Sequence, residues 1–176
     1  IHITFRADGI QANQTEVSLP AWRPGRYELG NFSRNIQRWQ AFDGNGRPLV
    51  SRKTDRNTWT VETAGVTQLV VEYSYYAAEI NAGSSFLDET QLYVNPVNLS
   101  LYLANRQEEK CRVELLVPAD WNVACAMKRE EWETEGVKDG WKREIMYAAD
   151  FHELADSPFI VSPTLPGRAT RAPAAR

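Results

Sequence analysis

Two histidines, two cysteines and two methionines are all the imidazole and sulfur this 176-residue chain contains, and that scarcity narrows its chemistry at once. A Ser-His-Asp or Cys-His constellation would have to be built from His2 or His152, and no G-x-S-x-G elbow accompanies either. Phosphate and dinucleotide cradles of the G-x-x-x-x-G-K-[ST] and G-x-G-x-x-G kinds are missing too. No apolar run approaches the roughly 18 residues that cross a bilayer, and no basic-then-apolar signal segment opens the chain. The formal net charge is −3 with both signs interspersed, and charge runs such as Glu108-Glu109-Lys110 are mixed. No field of one sign exists to hold nucleic acid. A chain opening on Ile1 does not fix the compartment: cytoplasmic, or periplasmic or secreted after loss of a signal.

What is present is alternation. At 43% apolar and 24% charged residues the chain has the balance of one ordinary globular domain. Ile1, Ile3 and Phe5 share one strand face and Trp59 and Val61 another; Leu69, Val71, Tyr73 and Tyr75 form the longest run. Leu99, Leu101 and Leu103 follow, then Val113, Leu115 and Val117, and last Trp141, Arg143, Ile145 and Tyr147. Turn chemistry separates them at Asp43-Gly44-Asn45-Gly46, Ala64-Gly65, Asn81-Ala82-Gly83 and Asp139-Gly140. About ten short strands so spaced predict an all-β fold, an antiparallel sandwich or saddle-like pair of sheets.

Helix signals are few. Phe32, Ile36 and Trp39 after Asn31 predict a capped helical turn leading into a strand. Asp150-Phe151-His152-Glu153 reads as a capping box opening one short helix that Pro158 ends. Proline fixes φ and glycine tolerates positive φ, so Pro24-Gly25 predicts a sharp turn with Trp22 and Tyr27 on its arms. As an architectural corner, that turn would put Trp22 in the core. From Ser162 the Pro-, Ala- and Arg-rich end loses all periodicity, which predicts a domain over 1–161 and a linker, tail or boundary over 162–176.

The cysteines are expected to be free. Cys111–Val117 and Trp121–Cys125 read as a hairpin joined near Pro118-Ala119-Asp120; that register sets the two sulfurs on a diagonal, about 7–8 Å apart at Cα level, beyond disulfide reach. Neither has a Cys or His neighbour in sequence that would suit a metal.

His152-Glu153-Leu154-Ala155-Asp156 approximates H-E-x-x-H with aspartate in place of the second histidine. A zinc helix must continue past its second ligand, whereas Ser157-Pro158 stops this one. It reads as a helix cap with surface side chains. Acidic pairs such as Asp8 with Glu16 and Asp88 with Glu89 read as solvated loop carboxylates, not as a glycosidase pair. The six tryptophans, Trp22, Trp39, Trp59, Trp121, Trp132 and Trp141, are in the first place core. Two or three coplanar exposed rings among them would instead make a sugar platform, so a stand-alone carbohydrate- or protein-binding β-sandwich is the competing class of function.

The ordered set Pro20-Ala21-Trp22-Arg23-Pro24-Gly25-Arg26-Tyr27, Phe32-Ser33-Arg34-Asn35-Ile36, Ala41-Phe42-Asp43, Gly46-Arg47-Pro48-Leu49, Trp59-Thr60-Val61 and Val71-Glu72-Tyr73 continues with Val117-Pro118-Ala119-Asp120-Trp121-Asn122-Val123-Ala124 and Ala149–Pro158. Over roughly residues 1 to 161 this resembles the N-terminal β domain of the glycyl aminopeptidase family of zinc metallopeptidases. The resemblance implies a non-catalytic domain that packs on a catalytic domain of the same polypeptide and helps shape its cleft for a peptide substrate. It implies no cofactor in this chain and zinc in the catalytic domain, whose H-E-x-x-H motif and glutamate ligand have no counterpart here. In the related aminopeptidase superfamily a glutamine or glutamate of the β domain holds the substrate's amino group. The resemblance points to Glu89-Thr90-Gln91, just before the Leu99-Leu101-Leu103 strand, and alternation would put Glu89, Gln91, Tyr93 and Asn95 on one face. Gln91 is the first candidate for the substrate contact, with Glu89, Asn95 and Tyr93 beside it.

Overall fold

Short antiparallel strands build the domain, as the alternation predicts, and the computed structural model describes residues 1–22, 29–81, 83–129 and 138–166. One sheet has the order β1-β7-β3-β4, from β1 (His2–Asp8), β7 (Gln68–Tyr75), β3 (Ile36–Asp43) and β4 (Pro48–Leu49). A second runs β2-β6-β5, from β2 (Gln14–Ser18), β6 (Thr58–Glu62) and β5 (Ser51–Asp55). The third, β10-β13-β12, is made of β10 (Cys111–Pro118), β13 (Trp141–Ala148) and β12 (Lys128–Arg129). The fourth, β11-β14-β9-β8, comprises β11 (Asn122–Cys125), β14 (Phe159–Ser162), β9 (Leu92–Val94) and β8 (Phe86–Leu87). No helix among the described residues is long and apolar enough to cross a membrane.

β7 is the spine. Its period-two face is fully inside, with Leu69, Val71, Tyr73 and Tyr75 all buried. The first three enter a core with Val17, Ala41, Trp59 and Val61. Tyr75 enters a second core with Val94, Val117, Val123, Met146 and Val161. Burying the Tyr73 hydroxyl would cost about 1–3 kcal/mol without a partner, and it donates to the Leu99 carbonyl. Burial also pushes the Tyr73 pKa well up, so that proton stays in place.

β3 keeps its apolar residues inward by means of a bulge. Ile36 and Ala41 lie five positions apart and would face opposite ways on a regular strand. The register against β7 shifts between Gln37 and Gln40, where Arg38 takes a φ of 55°, and the extra residue restores the phase. The helical turn predicted before it exists as a 3₁₀ turn, Phe32–Asn35, but Asn31 supplies no side-chain cap.

Four expectations need correction. Cys111–Val117 and Trp121–Cys125 do not form a hairpin: β10 pairs with β13 and β11 pairs with β14. A turn closed by Trp121 N–H on the Pro118 carbonyl at 3.0 Å carries the chain to another sheet, so that Val117 and Val123 meet in one core. Both cysteines are nonetheless free. Leu99, Leu101 and Leu103 are buried without forming a strand, since only Tyr102 makes a bridge, to Ser18. On β13 the more buried face is Glu144, Met146 and Ala148, while Trp141 is 47% exposed. Trp22 is also exposed, at 52%, against its expected place in the core; Arg23 to Glu28, with the Pro24-Gly25 turn and Tyr27, and Trp132 lie outside the described residues.

Candidate substrate-facing site

The segment carrying the predicted site residues is a hairpin, β8 to β9, whose tip is organised by one carboxylate. Asp88 Oδ1 accepts from Thr90 N–H at 2.8 Å, from the Thr90 hydroxyl at 2.8 Å and from Gln91 N–H at 2.9 Å. Those bonds, Thr90's backbone first and its hydroxyl next, hold the Asp88 carboxyl below the usual carboxylate range. The return bond, Asp88 N–H to the Gln91 carbonyl at 3.0 Å, closes the turn. Glu89 therefore stands exposed at the tip, beyond β9, and the strand is shorter than the alternation Glu89, Gln91, Tyr93, Asn95 requires. Tyr93 is in the strand, paired with Phe86 and Ile160. Gln91 and Asn95 flank it, half-buried. Ser162 Oγ donates to the Thr90 carbonyl at 3.0 Å and ties the tip to β14.

Asn95 leads into a second 3₁₀ turn, Pro96–Asn98, which swings Asn98 inward to 1% exposure. Asn98 borders a cavity of about 230 Å³ that also takes in Leu29, Arg34, Asn35, Tyr75 and Glu79. Arg34 pairs with Glu79 at 2.5 Å, and Ser84 Oγ donates to the other Glu79 oxygen at 3.2 Å. Asn35 Nδ2 donates to the Tyr75 hydroxyl at 3.1 Å. Asn98 Nδ2 donates to the Gly83 carbonyl at 2.9 Å, whereas Asn98 Oδ1 has no partner. Sequence reading missed this group. Asn98 is out of phase with Leu99, Leu101 and Leu103, so alternation sends it to solvent, and Tyr75 is in phase with the core, which hides the role of its hydroxyl.

The near-zinc motif folds as a cap. Helix α1 spans Phe151–Ala155, with Glu153 N–H donating to Asp150 at 2.7 Å and Ala149 N–H donating to the Glu153 carboxylate. Asp156 sits at the helix end, and the His152 side chain is 64% exposed, its nearest acid being Glu108 at 3.9 Å. Among the described residues no three His, Cys, Asp or Glu side chains lie together as a metal would need, so the donor set does not fit a zinc ion. Elsewhere Glu144 holds two cations, Arg129 and, at 3.5 Å, Lys142, in a partly buried network between β12 and β13. Of the described rings, Trp39 stacks on Trp59, and that pair is no open platform because Trp59 is only 5% exposed.

With this geometry in hand, the family model described as Peptidase M61 N-terminal domain matches residues 1–163. The chain belongs to that family. Among solved structures, this M61 N-terminal domain is similar to an aminopeptidase N family protein from Idiomarina loihiensis, at 26% identity and a TM-score of 0.79 over 92% of the chain. It also shares its fold with an M1 zinc metallopeptidase from Deinococcus radiodurans, at 14% identity and a TM-score of 0.52, again over 92% of the chain. The chain spans 26% of the first protein and 37% of the second. No curated protein sequence matches it.

Proposed function

We propose that this M61 N-terminal domain is the non-catalytic wall of a zinc aminopeptidase's substrate cleft. It packs on the catalytic domain of its own polypeptide, which holds the zinc, and the β8–β9 hairpin meets the amino end of the peptide. The observation that carries the reading is the family match over residues 1–163. Two features of the surface support it. Leu29, at 70% exposure and on the lining of the cavity, and Ile80, at 77%, are large apolar side chains bare of cover, as a partner surface requires. Gln91 is held at the base of a turn that Asp88 fixes through three hydrogen bonds, so a contact from its carboxamide would be made without loop ordering.

A carboxamide oxygen facing an ammonium in a partly dry cleft gives a charge-assisted hydrogen bond worth roughly 1.5–3 kcal/mol. Glu89 would add charge from the tip, with Tyr93 and Asn95 lining the approach. In the polypeptide that includes the catalytic domain, Gln91→Ala should lower kcat/KM on glycyl substrates about tenfold or more and leave the melting temperature unchanged. Equal efficiency in mutant and parent removes Gln91 from the site. The 176-residue chain alone should hydrolyse no glycyl or alanyl p-nitroanilide and retain well under stoichiometric zinc after dialysis. Zinc retained by the chain and lost in His152→Ala would overturn the division of labour.

A further inference from the structure

We infer that Ser162 is a positioning residue for the substrate contact: its hydroxyl and the Asp88 carboxylate grip the two sides of one peptide group, Thr90–Gln91, and so fix the direction in which the Gln91 side chain leaves the hairpin. This role rests on the part proposed for Gln91 above. A peptide group is planar, and in its trans form the N–H and the C=O point opposite ways. The Gln91 N–H donates to Asp88 Oδ1 at 2.9 Å, and the Thr90 carbonyl accepts from Ser162 Oγ at 3.0 Å. A bond on one side only restrains such a plane weakly against rotation about the line joining its Cα atoms; a bond on each side holds it. Beyond Gln91, its own carbonyl accepts from the Asp88 N–H at 3.0 Å. Both peptide groups that meet at the Gln91 Cα are thereby held, and the side chain has only its own torsions left.

The surroundings of Ser162 leave its proton one destination. The ladder between β14 and β9 ends at Val161, paired with Leu92, so Ser162 comes one step beyond it, next to Gln91 in register, and a side chain takes over where the backbone pairing stops. The residue is 5% exposed. Its oxygen accepts from the Thr164 N–H at 3.2 Å and lies 2.9 Å from the Thr164 hydroxyl. A hydroxyl carries one proton and a backbone carbonyl only accepts, so the Ser162 proton goes to Thr90 and the Thr164 hydroxyl is the donor of its pair. One donor and two acceptor positions are thus filled, in a single orientation. Thr164 stands just past the end of the family match at residue 163, and Asn122 Nδ2 pins the same turn through the Leu165 carbonyl at 3.0 Å. The turn that follows β14 and the tip that meets the peptide are joined through this one hydroxyl.

The test is a double-mutant cycle in the polypeptide that includes the catalytic domain, with a spectroscopic arm on the 176-residue chain. Ser162→Ala should lower kcat/KM on glycyl substrates roughly three- to tenfold, the worth of one hydrogen bond. In the Gln91→Ala background the same substitution should change kcat/KM by less than about twofold, because a residue that acts through Gln91 has nothing left to position. A residue that serves stability alone would give losses that add. In the ¹³C,¹⁵N-labelled chain, Ser162→Ala should shift the Thr90 carbonyl carbon and the Gln91 amide, the two ends of the gripped group. If Ser162→Ala does not fold, Ser162→Cys, with a weak thiol donor in the same place, goes through the same cycle and should show the same dependence on Gln91. Parental efficiency in the Ser162 variant beside a loss in Gln91→Ala, additive losses, or unmoved Thr90 and Gln91 resonances would each overturn the inference and leave the Gln91 contact standing. No loss in Gln91→Ala would instead remove that contact, and the positioning role with it.

Discussion

Trp39 lies flat on Trp59, ring centroids 4.2 Å apart and planes 9° from parallel, and Lys53 Nζ covers the buried ring at 4.8 Å. The stack depends on the β3 bulge, which turns Trp39 toward β6. Trp59 is 5% exposed, so Trp59→Ala should cost about 3–5 kcal/mol, a core truncation with little room to collapse. Trp22, at 52% exposure, should tolerate alanine within about 0.5 kcal/mol. Urea denaturation of both variants checks the contrast; a large loss at Trp22 would return it to the core.

Glu144 is the shared partner of Arg129 and Lys142, with its side chain 11% exposed. Removing the carboxylate leaves two cations side by side in a partly dry place. Glu144→Gln should destabilise by about 3 kcal/mol or more, while Lys142→Met, which leaves the Arg129 pair intact, should cost far less. The ranking is read from denaturation midpoints at constant m, and equal losses would mean that the network acts only through side-chain volume.

Asp88 gives the hairpin tip an acid sensitivity. Its folded pKa lies below the unfolded value, so the bonds to Thr90 and Gln91 are at full strength above the unfolded carboxylate value of about 3.9 and are lost as pH falls through the folded midpoint. An NMR titration should place the Asp88 midpoint below about 3.9, with the Thr90 and Gln91 amides moving in step. A midpoint at or above that value would show that the turn does not rest on the charge.

Cys111 and Cys125 sit on strands of different sheets. Burial pushes both thiols up, with Asp150 and Glu109 adding to the effect at Cys111, while at Cys125 Arg129 works against it. Thiolate is scarce at neutral pH, so both should react with Ellman's reagent more slowly than free cysteine. Intact mass should be the same with and without reductant. Fast labelling of either residue would contradict its half-buried placement.

The sequence announces β7, β1, β6 and the α1 cap, because each is decided by neighbours in the chain: alternating side chains, or Asp150 three residues before Glu153. It misplaces β11, since nothing local separates a hairpin from a crossover when Val117 and Val123 both need burial. The β13 face is misread for a related reason. Met146 and Ala148 are small or flexible enough to pack inside, and the paired Glu144 joins them because Arg129 reaches it from the adjacent strand β12. At the candidate site, the family resemblance leads to the hairpin, but the tip turn removes Glu89 from the strand. Asn98 stays hidden because a 3₁₀ turn, not a strand, decides where it points.

Because Tyr73 and Tyr75, two residues apart on β7, belong to different cores, neither half of the domain owns a boundary strand of its own. Opening the chain at β7 would expose both interiors together, so amide protons in β6 and β14, on different sheets, should exchange through the same global event. Two hydrophobic interiors joined through one strand should unfold as one cooperative unit, so a substitution deep in one of them is expected to appear as lost protection in the other.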